Sequence, residues 1–217
     1  MNEKQEPTVE SRNRPMLIVI SAPSGGGKTT LCQQLLATDP NIVRAVTCTT
    51  RAPREGERDG VDYYFLDAAT FQKRVEAGEF LEQATVHGHR YGNLKSEVLG
   101  KLRQGRDVVL NIDVQGAATI RANAAQDGAL NQALVTVFLA PPSLAILEKR
   151  LRKRGADSEA TIQKRLSAAR QEIAEWKHFD YLLISTTVAE DLRRMLAILE
   201  AEKMRPHRAQ PPDFEFR

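Results

Sequence analysis

A chain of 217 residues is long enough for one well-buried core and too short for two ordinary domains plus a linker, so one domain with appendages is expected. Charged residues make up 27% and hydrophobic residues 41%, and no apolar run approaches the roughly 18 residues needed to cross a bilayer, which excludes a membrane-spanning helix. The net charge of +3 is spread over interleaved Lys, Arg, Asp and Glu, which gives no footprint for nucleic acid, and Cys32 and Cys48 are too few for a disulfide framework, as expected in a reducing cytoplasm.

Residues 1–15 (MNEKQEPTVESRNRP) are polar, lack the apolar stretch of a secretory signal, and are expected to form a flexible leader. Residues 16–21 (MLIVIS) form a short β-branched apolar run before a glycine-rich turn, the pattern of a central parallel strand buried on both faces. A helix over 29–37 follows. From 46 to 93 the alternation of strand and helix breaks. Arg, Gly, Tyr and Thr dominate there, with strand-like pieces such as DYYFL and one short helix over 69–77 stopped by Gly78, so an inserted, partly antiparallel lobe is expected. Alternation then resumes: strands over 107–112 (DVVLNI), 133–139 (ALVTVFL) and 181–185 (YLLIS), and helices over 116–125, 143–154, 158–176 and 189–203. This order predicts an α/β fold with a parallel sheet covered on both faces. The residues from Pro206, 206–217, have the proline and charge content of a flexible tail.

The turn after the first strand reads Ala22-Pro23-Ser24-Gly25-Gly26-Gly27-Lys28-Thr29, with Thr30 next, and it opens a helix. That context is the one a phosphate-binding P-loop requires. Loop amides and the helix N-terminus cradle phosphate, Lys28 reaches the β and γ phosphates of a nucleotide, and the Thr29 hydroxyl ligates magnesium. Ala replaces the first Gly of the strict pattern, still without a bulky side chain. The intact Gly-Lys-Thr ending weighs against a merely flexible turn, but the loop alone does not name a reaction.

Further along, Arg150 and Arg154 lie four apart and therefore share one helical face. Gly155 ends that helix, and Asp157 or Ser158 caps the next, which carries Arg165 and Arg170. Two helices joined by a short polar turn make a flap able to close over ATP. A solvated basic face is the alternative for each of these arginines.

The segments TCTTRAPREGERDGVDYYF (47–65) and EFLEQATVHGHRYGN (79–93), with APSGGGKTT before them and NIDVQGA, APPSLAILEKRLRKRG and IQKRLSAAR after them, resemble guanylate kinase, of the nucleoside monophosphate kinase family, from residue 16 to about 199. The resemblance implies transfer of phosphate from Mg-ATP to GMP, a three-layer P-loop fold with its core over 16–45 and 94–205, a GMP-binding lobe over 46–93 and a lid over about 150–165. It assigns Arg51, Arg54, Tyr63 and Tyr91 to the phosphate of GMP, and a guanidinium fork suits a phosphate because it bonds two oxygens at once. It places Glu57 in the same lobe. It assigns Glu82 to guanine, whose ring N–H and exocyclic amine one carboxylate can accept together, and Thr47 to the guanine carbonyl. Asp113, at the carboxyl end of its strand, falls to either magnesium or guanine. Arg150, Arg154 and Arg165 are implied as lid ligands of phosphate that act with Lys28 in catalysis.

Three positions depart from the family pattern: Asn111 where an acid is usual, Asn93 where Ser or Thr stands near guanine or its phosphate, and Ser185 where an Asn often contacts adenine. The competing readings are a catalytically inactive module of the same fold that binds a phosphorylated partner, and a P-loop kinase of another phosphorylated small molecule. Retention of Lys28 and Thr29 weighs against the first, and the pair Thr47 and Glu82 against the second. A monomer and a homo-oligomer are both compatible with the sequence.

Overall fold

The computed structural model describes residues 14–86, 88–153 and 158–210. Five parallel strands form the central sheet in the order β2 (Ile42–Arg44), β7 (Asp107–Asn111), β1 (Leu17–Ser21), β8 (Leu134–Ala140), β9 (Tyr181–Ile184). Alternate residues of β1 feed two cores. Ile18 and Ile20 pack with Leu31 and Leu35 of α1 (Lys28–Thr38) and with Met195 and Leu199 of α8 (Val188–Lys203). Leu17 and Val19 pack on the opposite face with Val98 and Leu102 of α3 (Lys95–Arg103) and with Ala117 and Ile120 of α4 (Val114–Ala124). Burial on both faces is what makes these strands continuous apolar runs.

The expected α/β fold with a parallel sheet is the observed one. Strand order places β1 between β7 and β8, so the chain leaves β1 toward one side of the sheet and returns to its other side. The crevice at the carboxyl ends of β1 and β7 is where such sheets bind ligands.

A second sheet has the order β4 (Tyr63–Phe65), β3 (Thr47–Thr49), β6 (His89–Leu94), β5 (Phe80–Val86). β6 pairs antiparallel with β3 and β5, while β3 and β4 are parallel. It has its own small core, Cys48, Phe71, Phe80 and Leu94, closed by α2 (Ala68–Glu76), which Asp67 caps by accepting from the Thr70 amide at 2.7 Å. Helices α6 (Leu144–Lys153) and α7 (Glu159–Ala174) pack through Leu147, Leu151 and Ala169.

Several elements differ from their expected form. Strand β2, helix α3 and the short helix α5 (Gly128–Ala133) were not anticipated. Helix α4 starts at Val114 rather than 116, because Asp113 caps it by accepting from the Gly116 amide at 2.8 Å. The long helix expected to 176 tightens into a 3-10 turn over Glu175–His178. Of the expected tail, the part up to 210 is described and is not loose: Arg208 is 2% exposed and its carbonyl accepts from the Arg14 amide. Residues 1–13 and 211–217, which held most of the expected leader and tail, lie outside the described residues, as do Arg154, Gly155 and Asp157.

Candidate functional site

The phosphate loop sits where β1 hands over to α1. Gly25 has φ +86°, and a Cβ there would lie 2.8 Å from Leu151 Cδ2, so the position needs a glycine both for its backbone and for the close approach of α6. The Gly26 amide donates to the Pro23 carbonyl at 2.8 Å and closes the turn. Lys28 Nζ donates to the Ala22 carbonyl at 2.8 Å. Burial lowers the pKa of Lys28, and the nearby carboxylates of Glu172 and Asp113 oppose that shift.

Around the loop, Thr29 Oγ1 accepts from Asn111 Nδ2 at 3.2 Å. The Ser24 amide donates to Glu172 Oε2 at 3.2 Å, and Ser24 Oγ accepts from Arg165 Nη1 at 3.4 Å. Arg165 and Glu172 are seven apart on α7, hence on one face, and that face lies against the loop. Glu172 was not singled out in the sequence. Its spacing from Arg165 was the available signal, but only the packing of α7 shows what the face meets.

Arg150 does not turn to the loop. Its Nη2 donates to Ser185 Oγ at 3.2 Å, and Ser185 Oγ in turn donates to Asp191 Oδ2 at 2.8 Å. These residues border a cleft of about 450 Å³ that also takes in Gly25, Gly27 and Thr30.

The second half of the site hangs on the small sheet. Glu82 on β5 is 5% exposed and Asn93 on β6 is 3% exposed. Asn93 Nδ2 donates to Glu82 Oε1 at 2.6 Å, while Asn93 Oδ1 accepts from Thr47 Oγ1 at 3.1 Å. One amide therefore ties the two residues that the sequence had paired. Glu82 Oε2 comes so close to α4 that a Cβ on Gly116 would lie 2.9 Å from it. A side chain there would collide with the carboxylate, and Asp113 is hydrogen-bonded to the amide of that same glycine. Burial pushes the Glu82 carboxyl up to about 7. The Asn93 hydrogen bond opposes the shift and the charge of Asp113 adds to it.

Beyond this buried group lies a more exposed one. Arg51 Nη2 makes a two-pronged contact with both carboxylate oxygens of Glu57 at 2.9 Å, and Glu57 first, with Tyr91 after it, raises the pKa of the Arg51 guanidinium. The guanidinium stands 5.3 Å from the centroid of Tyr63 and 5.9 Å from that of Phe65. Tyr63 and Tyr91 are 6.2 Å apart, edge to face. Glu57 also accepts from the Arg54 amide at 2.8 Å, which is the chief reason that its pKa is lowered, with Arg51 next. Arg54 itself is exposed.

The structure thus gathers Ala22 to Thr30, Arg165 and Asn111 at the carboxyl end of β1. It joins Thr47, Glu82 and Asn93 into one chain of hydrogen bonds with Asp113 beside it, and it clusters Arg51, Glu57, Tyr63 and Tyr91.

Residues 14–202 match a family model described as guanylate kinase. The chain belongs to the guanylate kinase family. A guanylate kinase from Maricaulis maris is 44% identical over 199 residues, which cover 92% of this chain and 88% of that protein. One from Thermotoga maritima is 41% identical over 194 residues, 89% of this chain and 90% of the relative. The crystal structure of guanylate kinase from Anaplasma phagocytophilum superposes with a TM-score of 0.70 at 32% identity, covering 92% of each chain. Among the described residues no helix is long and apolar enough to cross a membrane.

Within this family the departures noted in the sequence acquire partners. Asn111 faces the Thr29 hydroxyl, Asn93 sits between Thr47 and Glu82, and Ser185 is bonded to Arg150 and Asp191.

Proposed function

We propose that the chain transfers the γ-phosphoryl group of ATP to GMP, giving ADP and GDP. The observation that carries this reading is the buried Glu82 carboxylate, held through Oε1 by Asn93 and presenting Oε2 toward Gly116 at the start of α4. A carboxylate so placed matches two adjacent donors on a purine edge, which guanine has and adenine lacks. Thr47 and Asn93 complete the guanine face, with Asp113 at its rim. Arg51, Arg54, Tyr63 and Tyr91 bind the phosphate of GMP, and Glu57 aims the Arg51 fork.

The residues present fit magnesium. Thr29 Oγ1, the Asn111 amide and the Asp113 carboxylate are hard oxygen donors, and no cluster of three acidic, His or Cys residues is found among the described residues, as suits an ion carried in on nucleotide phosphates rather than caged by protein. Bound there by Thr29 and Asp113, it would neutralise charge on the β and γ phosphates. The cleft by Thr30, Arg150 and Ser185 takes the adenosine end of ATP.

The acceptor is a phosphate oxygen of GMP, already anionic near neutral pH. It attacks the γ-phosphorus in line as the bond to the β–γ bridging oxygen breaks, and no general base is required. Lys28 and Arg165 neutralise the transferring group, and closure brings Arg150 and Arg154 onto it and keeps water away. Two buried free cysteines and the absence of a long apolar helix among the described residues suit a cytoplasmic enzyme.

Coupled measurement of ADP release with GMP, AMP, CMP, UMP and ribose phosphates tests the proposal. Turnover with GMP alone is expected. Binding of GMP without any turnover would select the inactive-module reading, and turnover with a sugar phosphate the other.

The raised pKa of Glu82 sets a pH dependence. Below about 7 the carboxyl gains a proton and presents a donor to guanine, so kcat/KM for GMP should fall toward acid, approaching tenfold per pH unit, with an apparent pKa near 7. Replacing Glu82 by Gln should remove that titration from the profile. An acid limb unchanged in Glu82→Gln assigns it to another group, such as the second ionisation of the GMP phosphate.

A further inference from the structure

At the opposite end of the central sheet from the phosphate loop, a second cavity of about 460 Å³ opens where β8 and β9 begin and α8 ends. β8 spans seven residues between the two ends, so the cavity lies roughly 20 Å from the phosphate loop. Its wall includes Arg121, Arg205, His207 and Arg208 against two acids, Asp180 and Glu202.

Both acids are already engaged. Asp180 Oδ2 accepts from the amide and the hydroxyl of Thr136, each at 2.8 Å. Glu202, 2% exposed, accepts from the Tyr181 hydroxyl at 2.5 Å and pairs with Arg208. Three arginines against two carboxylates leave the wall with a surplus of positive charge. Arg121 lies 4.9 Å over the Phe179 ring, and its buried Nη1 has no hydrogen-bond partner among the described residues. Among the described residues the Arg205 side chain has one polar contact, with Glu202 at 3.5 Å, whose oxygens are taken. Arg208 donates to the Leu134 carbonyl at 3.0 Å, but its buried Nε has no partner among the described residues. The buried Nη1 and Nε are closed to a ligand, but Arg121 and Arg205 line the cavity with no side-chain hydrogen bond among the described residues beyond the Glu202 contact, and a guanidinium, with five donors in a planar fork, suits an oxygen-rich anion.

We propose that this cavity binds a small oxyanion, the phosphate or carboxylate group of a metabolite, with Arg121 and Arg205 as its principal ligands. Partial burial of the Arg121 fork, which makes no hydrogen bond among the described residues, supports this. Burial lowers the pKa of both Arg121 and Arg208, and nearby acids only oppose the shift. The amides of Asn131 and Gln132 on the same wall supply neutral donors. The site shares no residue with the catalytic cleft, so it goes beyond the proposed reaction.

The test uses the full chain saturated with GMP and a non-hydrolysable ATP analogue, so that the phosphate loop is blocked. Inorganic phosphate and citrate are titrated separately by calorimetry. Saturable one-site binding is expected, weakened at least tenfold in Arg121→Gln and in Arg205→Gln. Binding of phosphate alone identifies a phosphorylated ligand and binding of citrate alone a carboxylate, and either upholds the site. Arg205 is more than half exposed, so Arg205→Gln keeps the fold and decides alone if Arg121→Gln does not fold. No saturable binding of either probe, or binding as tight in the variants as in the unaltered chain, overturns the proposal. The readout is heat of binding and needs no turnover, so it stands or falls apart from the kinase reading.

Discussion

Replacing Lys28 with Met lowers turnover with GMP and ATP by roughly 10³-fold or more, about 4 kcal/mol of transition-state stabilisation, in a protein that still folds. The ammonium is the one loop side chain able to meet charge that builds on the transferring phosphoryl group. It is half-buried beside Glu172 and Asp113, and a partly desolvated surrounding strengthens its field at that group. Met keeps the length of the chain but removes the charge and the hydrogen bond to the Ala22 carbonyl. The lost bond costs about 1 kcal/mol, while removing a desolvated ammonium offsets part of that. Thermal unfolding should therefore stay within a few degrees of the unaltered protein. Single-turnover kinetics on folded Lys28→Met protein, confirmed by circular dichroism, decides the matter. Undiminished turnover would remove the phosphate loop from the mechanism.

Replacing Glu82 with Gln should collapse the preference for GMP over AMP. AMP leaves a buried carboxylate without its donors, and sites built around a polar partner reject its absence by roughly 10⁴-fold. The hydrogen bonds around the residue dictate what Gln does. Asn93 Nδ2 donates at 2.6 Å to Oε1, so the new amide must turn its oxygen to Asn93 and its nitrogen to the place of Oε2. Two donors then face the donors of guanine. GMP should lose about 2–4 kcal/mol in kcat/KM, with little change for AMP.

Stability changes in the opposite sense. Because the folded pKa lies near 7 against 4.5 when exposed, the folded protein holds the proton over that interval and loses stability as pH rises through it. Glu82→Gln has no such charge to bury, so at pH 8 it should melt at a higher temperature than the unaltered protein. Comparing the two substrates and the melting curves in one variant separates base reading from packing. An unchanged ratio of kcat/KM values for GMP and AMP would show that Glu82 does not read the base.

Much of this was legible in the sequence because its signals are local. The run 16–21 and the Gly-Lys-Thr ending mark a buried strand turning into a helix, and that junction is built from adjacent residues whose backbone needs are written in their identities. The order of strands and helices marks the parallel sheet. Short elements escaped because their cues are weak. β2 has three residues, and α3 carries a glycine in its middle, although Val98 and Leu102 four apart are both buried and were the available sign of a helix.

Pairings between distant residues were decided only by tertiary structure. Nothing local to Asn93 says that its amide joins Thr47, 46 residues away, to Glu82, because that depends on the register in which β6 meets β3 and β5. Nothing near Glu172 says that its carboxylate meets the Ser24 amide across 148 residues, or that Arg150 turns to Ser185. Sequence sets which chemical groups are present and which local backbone they prefer. Which of them share a cleft, and at what pKa, follows from packing, since burial and neighbouring charges exist only once the chain has closed on itself.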